Sequence, residues 1–256
     1  MLKLSELIIV ESKDALKEIP EGKMLINTIN AHSFNVAQKD ELFAEALQNG
    51  DYLIPDGASI IKACKFLGAK SQPKERIAGW DLFAFEMGRL EKKMEKGNSD
   101  ATDKKMSGGI RGRVMFMGSS EKVLTKIKEQ AAVDYPNLRI VTYSPPYKPE
   151  FSDEDNAAII KAINDAAPAL LWIGMTAPKQ EKWTYQHWKE LNIHCHVGTI
   201  GAVFDFYAGT AERAPLWWQE HGLEWLYRLM KEPRRMWRRY VLGNPLFLWN
   251  VGKERA

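Results

Sequence analysis

The chain has 256 residues, 45% hydrophobic and 27% charged, enough for a sizeable core in one large domain or two small ones and unlike a disordered polymer. Its formal net charge of +3 is too small to imply a polyanionic partner. No run of 18 or more apolar residues occurs, so no transmembrane helix is expected.

A first buried strand is expected at Lys23–Asn27, and one helix over Ser33–Gln48, stopped by Asn49-Gly50. Tyr52–Ile54 reads as a short strand that ends at Pro55-Asp56-Gly57. Helices are expected at Ala58–Leu67 and Trp80–Met94. From Gly97 to Arg113 the chain is rich in Gly, Ser, Asp and Lys, and is expected to be an exposed loop, most simply a tolerated surface insertion. Strands follow at Val114–Met117 and Leu138–Tyr143, then a stiff Pro-rich connector over Ser144–Pro149. A helix at Asp153–Ala166, a strand at Ala169–Ile173, a helix at Ala177–Leu191 and a strand at Ile193–Val197 complete the alternation. That order implies βαβ units. The expected fold class is α/β, Rossmann-like, with a mainly parallel sheet flanked by helices and a C-terminal helical appendage. The core is assigned to residues 1–215, the appendage to 216–256. Pro233 should divide the appendage into two helices or kink a single one, the second part ending at Gly243-Asn244-Pro245.

Two cysteines, Cys64 and Cys195, cannot build a disulfide framework and read as reduced core residues of a cytosolic protein. The N-terminus carries no secretory apolar region with a cleavage site. The charge is uneven along the chain. Arg228, Lys231, Arg234, Arg235, Arg238 and Arg239 crowd the C-terminal segment among Trp225, Tyr227, Trp237 and Tyr240. Basic residues mixed with aromatic ones suit an anionic lipid surface or a diphosphate, although a solvated basic helix reads equally well.

The most informative run is Gly174-Met-Thr-Ala-Pro-Lys-Gln-Glu-Lys-Trp183, which follows a buried strand and opens a helix. It puts Lys179 and Gln180 at a strand's carboxyl end, where open α/β sheets bind ligands, and at a helix start, which favours an anion. Gly118, Gly174, Gly198 and Gly201 each follow or end a strand and permit close backbone approach to a nucleotide. Asp205 lies in the apolar stretch Val203–Phe206 and needs a partner, either a nucleotide contact or a structural one. Asp56 stands after a strand and before a glycine, as an exposed acid or as a helix cap. Thr28 and Asn30 end the first strand and could bond a sugar or cap it. Arg76 could hold a diphosphate or lie on the surface. Asp153-Glu-Asp155 matches the metal-holding Asp-x-Asp string of many sugar transferases, but Ser152 precedes it and a capped helix start explains it better. No metal and no cofactor are therefore expected.

Asn27-Thr-Ile-Asn30, Ile54-Pro-Asp-Gly57, Glu75-Arg-Ile-Ala-Gly-Trp-Asp81, Ala177–Trp183, Val203-Phe-Asp-Phe-Tyr-Ala-Gly-Thr210, Arg213-Ala-Pro215 and Gly222-Leu-Glu-Trp-Leu-Tyr-Arg228 stand in one order from end to end. Together they resemble the bacterial WecG/TagA/CpsF glycosyltransferase family. The resemblance implies inverting transfer of a sugar, of the N-acetylmannosamine type, from a UDP-sugar to a polyprenyl-diphosphate-linked saccharide. It implies a peripheral protein at the inner face of the cytoplasmic membrane, with no nucleic-acid partner, and it leaves homo-oligomerisation open. It also implies Asp56 as the base, Thr28, Asn30 and Gln180 orienting sugars, and Arg76, Arg228, Arg235 and Arg238 meeting the diphosphate. Two other classes lack their marks in the chain. A UDP-sugar epimerase or oxidoreductase would need a dinucleotide fingerprint and a Tyr-x-x-x-Lys pair, which are absent. A nucleic-acid-binding module would need a basic patch on a binding fold, whereas the chain outside the tail is near neutral.

Overall fold

The computed structural model describes residues 1–99, 112–215, 217–218 and 221–255. Strands β1 (Met24–Ile29), β2 (Tyr52–Pro55), β3 (Arg113–Gly118), β4 (Arg139–Tyr143), β5 (Leu170–Gly174) and β6 (His196–Thr199) form one all-parallel sheet in the order β2-β1-β6-β5-β3-β4. Central strands of such a sheet are covered on both faces, which explains why β5 reads as the unbroken apolar run Leu170-Leu-Trp-Ile173. The expected α/β class holds, and the sheet is wholly rather than mainly parallel.

The chain divides into two compact units. One comprises Met1–Glu18, Asn27–Ala78 and Glu212–Ala256; the other comprises Ile19–Ile26 and Gly79–Ala211. The C-terminal segment is thus grouped with the first third of the chain rather than set apart as an appendage.

In the first unit, the single helix expected over Ser33–Gln48 is two: α1 (Ala31–Ala37) and α2 (Glu41–Gln48). Asp40 divides them, because its carboxylate accepts the N–H of Phe43 at 3.0 Å and starts a new helix. Helix α3 (Ala58–Leu67) ends at Gly68, whose positive φ of 61° suits a left-handed stop. Beyond Glu212 come α9 (Glu224–Lys231), α10 (Pro233–Trp237), a π-helical turn (Arg238–Leu242) and α11 (Gly243–Arg255). Gly243-Asn244-Pro245 opens the last helix instead of ending one. Phe34, Phe43, Leu47, Ile60, Phe247 and Val251 share this unit's core.

In the second unit, α4 (Gly79–Ser99) runs further than expected and β3 begins at Arg113. The rest of the loop expected over 97–113 lies outside the described residues. Helices α5 (Glu121–Asp134), α6 (Asp153–Ala166), α7 (Lys179–His187) and α8 (Gly201–Tyr207) complete it. Its core gathers Met115, Met117, Ile159, Leu171, Ile173 and Val197. Cys64 and Cys195, one in each unit, are buried and free, as read from the sequence.

Candidate functional site

In the first unit the carboxyl ends of β1 and β2 bring four expected residues together. The Asp56 N–H donates to the Ile29 carbonyl at 2.9 Å, and the Ile77 N–H donates to the Pro55 carbonyl at 3.0 Å. These bonds hold Asn30 and Arg76 beside Asp56. Asp56 caps no helix. The residue in that position for α3 is Gly57, which makes no side-chain capping bond. Its Cβ, were there one, would stand 3.3 Å from the Asn30 Cβ, so glycine permits the close approach. The Asp56 carboxylate is left to other partners: the nearby Asn30 side chain favours its ionised form, and it lies 3.5 Å from the Arg76 guanidinium.

Asn30 is also the N-cap of α1. Its Oδ1 accepts the N–H groups of His32 at 3.0 Å and Ser33 at 3.1 Å. Capping of α1 and a place beside Asp56 are therefore one geometry, not alternatives. Thr28, two residues earlier on the same face of β1, is half-buried. Arg76 does not lie loose on the surface. Its Nε donates to the Asp56 carbonyl at 2.8 Å, and a terminal nitrogen donates to Glu224 at 2.8 Å.

These contacts set the electrostatics. Burial pushes the Asp56 carboxyl above its ordinary range; Arg76 opposes, Glu224 adds to the rise, and Arg239 and the Asn30 side chain oppose. The carboxyl is enclosed by protein, though 29% of the side-chain surface stays open to a reactant. His32 is pushed down to about 4 by burial and then by Arg239, so it is neutral at physiological pH.

Glu224, Arg239 and His32 were not picked out from the sequence. Arg228 is half-buried, Arg238 is exposed, and the Arg235 side chain lies outside the described residues. A regular helix would set Arg234 with Arg238 and Arg235 with Arg239 at i,i+4 spacing. The π-helical turn that starts at Arg238 breaks that register, and Arg239 is the half-buried member of its doublet.

In the second unit, the chain leaves β3 toward β4 on one side, while β5 connects to β6 on the other. β3 and β5 are neighbours, with Gly118 opposite Gly174 at their carboxyl ends. Such a switch point opens a crevice outside the strand ends. Gly118 has φ of 120°, and a Cβ there would meet the Gly174 carbonyl oxygen at 2.3 Å. The other three expected glycines have packing reasons within this unit. A Cβ at Gly174 would strike the Phe204 ring at 2.5 Å, at Gly198 the Trp172 ring at 2.3 Å, and at Gly201 the Met175 carbonyl at 2.3 Å.

Gln180 is buried and ties the crevice together. Its Oε1 accepts the N–H groups of Met175 at 3.2 Å and Gly201 at 3.1 Å, and its Nε2 donates to Glu181 at 2.9 Å. Glu181, also missed, is 1% exposed, with its second oxygen, Oε2, buried and without a hydrogen bond. Burial pushes its carboxyl up to about 7 against the Gln180 bond. Lys179 donates to the Lys148 carbonyl at 2.5 Å and lies 3.5 Å over the Phe151 ring, and burial lowers its pKa. Asp205 is exposed on α8, not buried as its apolar neighbours suggested. It receives the Thr210 hydroxyl at 3.3 Å and closes the turn after that helix.

Asp153 and Asp155 are the capped helix start expected of them. Ser152 and Asp155 form a reciprocal capping box at α6, and Lys148 pairs with Asp155. Among the described residues no three His, Cys, Asp or Glu side chains group as metal ligands do.

Two comparisons bear on this arrangement. The family model described as "Glycosyl transferase WecG/TagA/CpsF family" matches residues 4–256. A relative from Bacillus subtilis, named N-acetylglucosaminyldiphosphoundecaprenol N-acetyl-beta-D-mannosaminyltransferase, is 27% identical over 230 residues, covering 90% of this chain and 79% of its own. A relative of the same name from Bacillus spizizenii is 29% identical over 237 residues, covering 89% and 82%. The chain therefore belongs to the WecG/TagA/CpsF family and is a glycosyltransferase.

Proposed function

We propose that this glycosyltransferase moves N-acetylmannosamine, or a closely related sugar, from a UDP-activated donor to N-acetylglucosaminyl-diphosphoundecaprenol, with inversion at the anomeric carbon. Both relatives are named for that sugar and that acceptor. The observation that carries the reading is Asp56, a carboxylate at a strand's carboxyl end that caps no helix and is raised in basicity by burial.

In the reaction the acceptor hydroxyl oxygen bonds to the donor's anomeric carbon as the bond from that carbon to the diphosphate oxygen breaks. Asp56 accepts the hydroxyl proton, and the diphosphate leaves with the bonding electron pair. One base on the attacking side suffices for inversion. Thr28 orients a sugar. Asn30 holds Asp56, and Gln180 holds the backbone at the ends of β5 and β6. The turn at Gly118, with Lys179, receives the nucleotide. Arg228, Arg235 and Arg238 neutralise diphosphate charge. The acceptor is a membrane lipid, so the exposed cations and aromatics after Glu212 would hold the enzyme at an anionic surface. No helix among the described residues is long and apolar enough to cross a membrane.

The test is product formation from a panel of UDP-sugars with a short-chain polyprenyl-diphosphate-linked N-acetylglucosamine. The reading expects UDP-N-acetylmannosamine to be used best. Faster transfer from another nucleotide sugar, or to an unlinked saccharide, would overturn the assignment.

A further inference from the structure

The Arg76 guanidinium is shared between two carboxylates, and unequally. Its terminal nitrogen is 2.8 Å from Glu224 Oε2 but 3.5 Å from Asp56 Oδ1. Glu224 is also the more enclosed of the two acids, with 14% of its side chain exposed against 29% for Asp56. The strong, short contact thus goes to the acid that is not at the strand end. Arg76 Nε is bound to the Asp56 carbonyl at 2.8 Å, which fixes the guanidinium beside Asp56 whichever carboxylate its other nitrogens choose.

We propose that Glu224 is a positioning residue for the base: by holding Arg76 it keeps the guanidinium from closing a paired grip on the Asp56 carboxylate, and so preserves Asp56 as a proton acceptor. This rests on the reading of Asp56 as the base.

An arginine next to a single carboxylate forms two parallel charge-assisted bonds, and such a pair is a poor base because ionisation is strongly favoured. Among the described residues the charged groups facing Asp56 are Arg76, Glu224 and Arg239, with the Asn30 side chain near it; neutral His32 lies close to the same Arg239. Two of the three charges are cations. Removing Glu224 takes away an anion that stands against them and frees a terminal nitrogen of Arg76 to turn toward Asp56. Both effects weaken the base. Glu224 is the first residue of α9, 148 positions from Arg76. The basicity of Asp56 is therefore tied to the seating of the C-terminal segment within its own unit.

The experiment follows kcat and KM against pH for the full chain and for Glu224→Gln, Glu224→Asp, Arg76→Gln and Asp56→Asn, using UDP-N-acetylmannosamine and the short-chain lipid-linked acceptor. Asp56 must be ionised to act, so activity rises with pH through its titration. Glu224→Gln should move that limb to lower pH and reduce plateau kcat roughly threefold to tenfold, with KM little changed. Arg76→Gln should move the limb the other way, and Glu224→Asp, which keeps the charge, should restore most of it. A merely structural role for Glu224 would reduce the amount of active enzyme and leave the limb in place. The same shift is readable without turnover from the Asp56 carboxyl 13C resonance, assigned by its loss in Asp56→Asn. If that resonance titrates at the same pH in Glu224→Gln as in the unaltered chain, the proposal is overturned, whatever the activity. If instead it shifts but Asp56→Asn still turns over within a few-fold, the reading of Asp56 as base fails, and Glu224's role with it, while the electrostatic contact stands.

Discussion

The rings of Phe34 and Phe247 meet edge to face, with centroids 5.6 Å apart and planes at 83°. The contact locks the last helix, α11, onto the first, α1. Asn35 adds a bond to the Gly243 carbonyl at 2.7 Å, and the Glu254 carboxylate accepts the N–H groups of Leu4 and Ser5 at 2.9 and 2.6 Å. The C-terminal end is therefore core for its unit as well as a source of charge.

Replacing Phe247 by alanine should lower the unfolding free energy by about 3–5 kcal/mol, as for other buried aromatic truncations. Urea denaturation measures it. Deleting Pro233–Ala256 should be worse, since it strips both Phe247 and Val251 from the core. A truncated chain that melts like the whole would show that α11 contributes no packing.

Asp56→Asn is nearly isosteric. It should leave folding and UDP affinity in place and reduce turnover by roughly 10²–10⁴-fold. Steady-state rates beside a UDP titration separate the two effects. Turnover within a few-fold of the unaltered chain removes Asp56 from its role.

Glu181 should make stability depend on pH. Burial raises its carboxyl from 4.5 to about 7, so the folded chain holds that proton more tightly than the unfolded chain does. The stabilisation is fully present below the unfolded value and is lost as pH rises toward about 7, a loss on the order of 3 kcal/mol. Glu181→Gln should remove this slope, and the variant should be the more stable protein at pH 8. Parallel slopes in the two proteins would mean that Glu181 ionises normally.

Much of this molecule is legible from local pattern. The helices at Ala58–Leu67 and Asp153–Ala166 carry their own stops or caps, Gly68 and Ser152, and their limits coincide with expectation. Asp56 and Gln180 could be singled out because each stands where a strand gives way to a turn. What could not be read depends on partners far along the chain. Nothing near Glu224 announces Arg76, and nothing near Gly243 announces that Phe247 will meet Phe34. The break at Asp40 was missed because the apolar spacing of Phe34, Ala37, Phe43 and Leu47 continues across it. Asp205 misled in the opposite sense: on α8 its apolar neighbours turn inward while it faces solvent, a helical periodicity mistaken for a buried stretch.

The membrane proposal can now be tested without truncation, which would confuse docking with unfolding. Trp225, Met230, Trp237, Leu248 and Trp249 are exposed, and so are Arg234 and Arg238. Apolar side chains open to solvent beside free-facing cations suit a bilayer surface, where acyl chains cover the first and anionic headgroups meet the second. Each cation near such a leaflet contributes about 1 kcal/mol. Reversing Arg234 and Arg238 to glutamate should thus weaken partition onto phosphatidylserine-containing vesicles by roughly thirtyfold or more. Raising the salt should weaken the unaltered chain in the same way, because the Debye length falls to about 3 Å at 1 M. Neither change should alter the melting temperature much, since both arginines are exposed. Cosedimentation with anionic and with neutral vesicles reads the effect directly. If the reversed variant binds anionic vesicles as tightly as the unaltered chain, the cations do not face a membrane and the proposed docking is wrong.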